Sequence, residues 1–103
     1  PLDYAVTATF PSKEVMDEYT EWLKDGHLDA VVEGGADRGE MVILDGDTLS
    51  VVSRYRFKNR AAFDTYVKDV APALRADGVK RFGSSGVTFS RTIGIISWAK
   101  ESS

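Results

Sequence analysis

Apolar residues recur at every second position, then at every third or fourth, and the two periods alternate along the chain in an order that few folds can satisfy. Leu2, Tyr4, Val6, Ala8 and Phe10 share one side of an opening strand that ends at Pro11, with Asp3, Ala5, Thr7 and Thr9 on the other. Ser12 then offers an N-cap, and Val15, Tyr19, Trp22 and Leu23 carry the apolar stripe of an amphipathic helix that ends before Gly26. The stretch from His27 to Gly35 reads as a helical turn and a loop. An apolar run from Met41 to Leu44, the turn signal Asp45-Gly46, and a second run from Leu49 to Phe57 predict a hairpin. In its second strand Leu49, Val51, Ser53, Tyr55 and Phe57 lie on one face, and Ser50, Val52, Arg54 and Arg56 on the other. Asn59 caps a further helix with Phe63, Tyr66, Val67, Val70 and Leu74 at helical spacing. Pro72 kinks or divides that helix, and Gly78 stops it. Val87 to Trp98 forms the last strand, and residues 99–103 form a frayed tail.

Strand, helix, hairpin, helix, strand is an α+β order. Two helical stripes are buried together most simply on one face of a four-stranded antiparallel sheet, the ferredoxin-like βαββαβ arrangement. At 103 residues the whole chain, 1–103, makes one domain. The helix-free face then carries Ala5, Thr7, Thr9, Val52, Arg54, Ile96 and Trp98, a set apolar enough to call for a cover. A second copy related by a two-fold axis supplies one. This predicts a homodimer through the sheet face, a dimeric α/β barrel, with space for a small apolar or aromatic ligand between sheet and helices or between the two sheets. A monomer with a wet sheet is the plainer alternative.

Charge and composition narrow the function. Thirteen Lys and Arg against sixteen Asp and Glu give a net charge of −3, which provides no long-range attraction to nucleic acid or to an anionic membrane. The absence of cysteine removes disulfides, thiolate nucleophiles and Cys-ligated metals. No apolar run approaches a membrane span and the first residues lack a signal-peptide pattern, so the expectation is a cytoplasmic protein. RNA binding, which a related topology supports, is disfavoured because Ser50 to Phe57 lacks the glycines of the RNA-recognition signature.

The run Glu18 to His27, the Gly34-Gly35 pair, Arg54-Tyr55-Arg56-Phe57, and Ala71-Pro-Ala-Leu-Arg-Ala-Asp-Gly78 followed by Arg81-Phe82 resemble a bacterial domain-of-unknown-function family of the dimeric α/β-barrel superfamily. The resemblance spans nearly the whole chain and implies a ferredoxin-like homodimer. It implies no single activity, since the superfamily mixes cofactor-free monooxygenases, polyketide cyclases, isomerases, haem enzymes and binding modules. The chain departs from the family pattern at Ala36, where an aromatic is common, at Val70, where histidine is frequent, and at Arg54, where glutamine is.

Candidate site residues follow from side-chain chemistry. His27, the only histidine, is the natural proton shuttle at a cavity mouth; its plainer reading is a cap on the helix C-terminus. Arg91, between Phe89 and Ile93 on one strand face, must reach solvent or find an anion, which is either a ligand carboxylate or enolate or an ion-pair partner. Arg54 could hold an acidic ligand bidentately, with Arg56 left to solvent. Tyr55 and Tyr66 bring hydroxyls to apolar settings, Trp22 reads as core, and Trp98 as a wall of the cavity or a seal of the dimer. Thr7 marks the sheet face that the partner covers. One histidine and no acidic cluster leave no metal site, and the glycines form no dinucleotide loop or nucleophile elbow, so no cofactor is expected. The resulting picture is a homodimer that binds a small, largely apolar molecule. Its enzymatic version is a cofactor-independent oxygenase, cyclase or isomerase with His27 and Tyr55 moving a proton and Arg54, Arg91, Trp98 and Thr7 around the ligand; the rival is a non-catalytic structural or regulatory dimerisation module. An enclosed void of roughly 300 Å³ or more with converging polar groups would favour ligand binding, and a solidly packed interface the rival.

Overall fold

The computed structural model describes residues 1–102. Its elements are β1 (Leu2–Thr9), α1 (Lys13–Trp22), a π-helical turn (Leu23–His27), α2 (Leu28–Glu33), β2 (Arg38–Ile43), β3 (Ser50–Phe57), α3 (Arg60–Asp69), α4 (Ala71–Phe82) and β4 (Thr88–Ile95). The strands form one sheet in the order β2-β3-β1-β4, and every neighbouring pair is antiparallel. This is the ferredoxin-like βαββαβ fold. Among the described residues no helix is long and apolar enough to cross a membrane.

Local chemistry sets the element boundaries. Ser12 Oγ accepts from Val15 N at 3.2 Å and Asn59 Oδ1 from Ala62 N at 2.9 Å, so both expected N-caps form. Val70, with ψ of −48° but φ pulled to −117°, separates α3 from α4, and Pro72 lies in the first turn of α4, where its missing N–H costs nothing. The expected division of this helix into two is therefore present.

Three boundaries differ from the sequence reading. The helical turn expected after His27 lengthens into a short helix, Leu28–Glu33, set off from α1 by a kink at Asp25 and Gly26, whose backbone angles are not helical. Gly78 does not stop α4, which runs on to Phe82; a β-carbon there would lie 3.4 Å from the Trp22 ring, so the glycine lets the indole come close to the helix. The last strand ends at Ile95 instead of Trp98. Residues 99–102 of the expected tail are exposed and lie outside any helix or strand; Ser103 is outside the described residues.

All helices cover one face of the sheet. On that face the register sets Leu2 opposite Phe57, Tyr4 opposite Tyr55, Val6 opposite Ser53 and Ala8 opposite Val51, all buried. Two groups of core side chains fill the space beneath the helices. Tyr4, Phe57, Phe63 and Tyr66 pack with ring centroids 5.2–6.5 Å apart, and Phe10, Tyr19 and Phe82 form the second group with Met16 and Leu23. The helix-free face is more polar than the sequence reading made it. Ala5, Val42 and Val52 are its apolar strand residues, set among Thr7, Thr9, Ser50, Ser90 and Thr92. Ile96 and Trp98, counted on that face from alternation, fall beyond the end of β4.

Candidate functional site

Between the two groups of core side chains the covered face leaves a cavity of about 340 Å³. Tyr4, Val6, Ser53 and Tyr55 from β1 and β3 line it from the sheet, Tyr19 and Trp22 from α1, His27 from the π-helical turn, Val31 from α2, Tyr66 from α3, and Leu74, Arg75, Gly78 and Val79 from α4; Phe89 and Arg91 complete it from β4. The sheet residues and Tyr19, Val31 and Tyr66 are buried and make the floor and walls, whereas Arg75, Val79, Phe89 and Arg91 are exposed and make the rim. The rim lies toward β4 because no helix covers that strand, all eight residues of which are exposed.

Polar groups occupy the two ends of this aromatic space. At the rim stand Arg75 and Arg91, and no Asp or Glu lines the cavity. Neither guanidinium has a carboxylate within salt-bridge distance among the described residues. The Arg91 guanidinium sits over the Phe89 ring, 5.7 Å from its centroid. On the floor, Ser53 Oγ is buried without a hydrogen-bond partner. Burial pushes the Tyr66 hydroxyl up to about 12 with help from Tyr4, against the opposing charges of Arg75 and Arg91. Burial also raises Tyr19 and Tyr55, and proximity to Ser53 works against the rise in both. That proximity stops short of a formed hydrogen bond to Ser53. These tyrosines therefore remain neutral O–H donors at physiological pH.

His27 reaches the cavity through a local device. Gly26, with φ of +129°, takes the left-handed region that a side chain disfavours, and it reorients the chain within the π-helical turn. The His27 ring stacks on Trp22 with centroids 4.1 Å apart and planes 24° apart, and Trp22 Nε1 donates to Asp77 Oδ2 at 3.3 Å. Burial lowers the His27 pKa below its usual value and the Asp77 charge pulls partly the other way, leaving a neutral imidazole at pH 7.

Of the six residues singled out from the sequence, His27, Tyr55 and Arg91 meet around this cavity. Thr7 and Arg54 lie on the opposite face of the sheet, where Arg54 Nε pairs with Asp3 Oδ1 at 3.1 Å. Trp98 stands beyond β4, 81% exposed. Trp22, read as core, lines the cavity. Sequence reasoning passed over Ser53 and Arg75. Ser53 carried a signal, as the one polar residue in the apolar row Leu49, Val51, Tyr55 and Phe57. Arg75 carried none, since only the placement of α4 brings it to the rim.

The fold recurs in solved structures whose low identities speak to the fold alone. A dimeric ferredoxin-like protein from an uncultured marine organism is 6% identical, with 99% of this chain and 100% of that one covered and a TM-score of 0.79. A candidate antibiotic biosynthesis monooxygenase from Deinococcus radiodurans is 14% identical over 100% and 99% of the two chains, with a TM-score of 0.76. SnoaB, a cofactor-independent oxygenase from Streptomyces nogalater, is 11% identical over 95% and 94%, with a TM-score of 0.72. No curated protein matches the chain. Residues 3–96 match the domain of unknown function DUF4286, and with that match covering most of its length the chain belongs to the DUF4286 family.

Proposed function

We propose that this chain is a homodimer, joined through the helix-free face of its sheet, in which each protomer binds a small aromatic anion in the cavity beneath its own helices. One observation carries the reading: a cavity of about 340 Å³ with aromatic walls has two arginines at its rim and no Asp or Glu among the described residues that line it. The volume is within the range of small-molecule sites, although the cavity is open at its rim rather than enclosed. An aromatic acid would bury its rings against Tyr4, Trp22 and Tyr66 and form charge-assisted hydrogen bonds at Arg91. Dimeric and oxygenase proteins among the structural neighbours support the assembly and the class of chemistry. In an enzymatic version, neutral His27 accepts a proton from the bound substrate, Arg91 stabilises the resulting anion, and the buried tyrosine hydroxyls donate to it, with no cofactor required. Thr7 and Arg54 belong in this reading to the interface between the two sheets.

Titration calorimetry with 2-naphthoate tests it. The full chain should bind, and Arg91→Gln should weaken binding by about tenfold or more, the loss expected for a charge-assisted bond. No binding by the wild type, or equal affinity in the variant, would overturn the reading. Sedimentation should return twice the 11.3 kDa protomer mass.

A further inference from the structure

Ser53 is where β3 breaks its own pattern. Its neighbours along the covered face, Val51, Tyr55 and Phe57, are apolar core residues, and Ser53 is buried as deeply as they are, at 1% exposure. Unlike Thr9 and Ser50, whose hydroxyls pair with each other at 3.1 Å on the opposite face, Ser53 Oγ has no partner among the described residues. A buried hydroxyl left in this condition is destabilising, and alanine would pack there without the loss. The Tyr19 and Tyr55 hydroxyls are the polar neighbours of Ser53 Oγ, but neither is placed to complete a hydrogen bond with it. Ser53 is also part of the cavity floor.

The sheet register fixes what lies opposite. Met41, Ser53, Val6 and Arg91 form a single row across the four strands, all on the covered face. Val6 alone separates Ser53 from Arg91, so their backbones are two strand spacings apart, on the order of 10 Å. Between them the wall is aromatic. At the Ser53 end the hydroxyls of Tyr19 and Tyr55 are close by; at the Arg91 end is Arg75. The site is thus polar at two ends and apolar in the middle, with neutral hydroxyl groups deep and cations shallow.

We infer that the ligand of this cavity is an aromatic carboxylate bearing a second oxygen, a hydroxyl or carbonyl, at its far end, and that Ser53 hydrogen-bonds this oxygen while Arg91 holds the carboxylate. The inference rests on the binding function proposed above and specifies its ligand class. A site built to hydrogen-bond a substrate oxygen discriminates strongly against the analogue without it, because its own polar group is then left unpaired. An apolar floor would discriminate little.

The test compares 6-hydroxy-2-naphthoate with 2-naphthoate by calorimetry on the full chain and on Ser53→Ala. In the wild type the hydroxylated acid should bind about tenfold more tightly, equivalent to one good hydrogen bond. In Ser53→Ala that ratio should fall to about one, while the affinity for 2-naphthoate stays within about twofold and the melting temperature is equal to or above that of the wild type. The melting measurement reports whether the variant is folded. A ratio near one in the wild type, or a ratio unchanged in Ser53→Ala, overturns the inference and leaves anion binding standing. Failure of the wild type to bind either acid removes both.

Discussion

The two faces of one sheet have the same strands, backbone and register, yet they solve opposite problems. On the covered face large side chains, Tyr4, Tyr55, Phe57 and the helix aromatics, meet at angles and leave a gap between two packed groups. On the helix-free face small hydroxyl-bearing residues at one end give way at the other to Asp3, Arg38, Glu40, Arg54 and Arg56, with Arg54 paired to Asp3. Large, rigid rings cannot tile a volume without voids unless smaller groups fill the corners. Here the corner positions are held by Val6, Ser53 and Gly78, which are small, so the space stays open. Aromatic bulk thus generates the cavity, and the opposite face of the same strands carries small and charged side chains instead.

This contrast can be broken from either side. Phe57→Ala on the covered face removes a ring with no exposed surface that packs edge-on against Phe63, 5.2 Å between centroids. Urea unfolding should show a loss of about 3–5 kcal/mol. A loss under about 1 kcal/mol would mean that the covered face tolerates voids generally and that the cavity is only slack packing. Thr7→Arg on the free face should leave the protomer fold intact, convert the dimer to monomer in sedimentation, and keep the affinity for 2-naphthoate within about twofold. An unchanged dimer would assign the contact to another surface, and lost affinity would make the cavity depend on the partner. The smallest effect concerns His27. Its folded pKa lies below the unfolded value, so the unfolded chain takes up the proton first as pH falls. Its contribution is fully present above about pH 6.5, declines as pH falls below that, and levels off once the folded imidazole is also protonated. His27→Gln should flatten that part of the stability profile, and a ring titration by NMR should give a midpoint below 6.5.

Much of the fold was legible because it depends on periodicity, which is local. Alternation in β1 and β3 assigned Leu2, Tyr4, Val6 and Ala8 to the same layer as Val51, Ser53, Tyr55 and Phe57, and the register pairs these residues one to one. Caps at Ser12 and Asn59 were equally local. The reading failed where the outcome depends on a neighbour distant in sequence. Gly78 looks like a terminator until Trp22, 56 positions earlier, is placed against it. Trp98 looked like part of a sheet face because alternation says nothing about where a ladder ends. Among the site residues, His27, Tyr55 and Arg91 were found from their chemistry. Parity could also have excluded Thr7 and Arg54 from any cavity under the helices, since they alternate with residues that face it. The choice of which layer holds empty space is a matter of side-chain volume in three dimensions, and no one-dimensional pattern encodes it.

The stack of Trp22 on His27 gives the molecule an optical property. The chain has two tryptophans, one walled into the cavity against an imidazole and one standing free in solvent at position 98. An imidazolium quenches indole emission through close contact far more than a neutral ring does, so the emission of Trp22 carries the protonation state of its neighbour, while Trp98 contributes a constant red-shifted background. Trp98→Phe would strip that background away and leave a protein that reports, without any added dye, on what enters the space beside its single histidine.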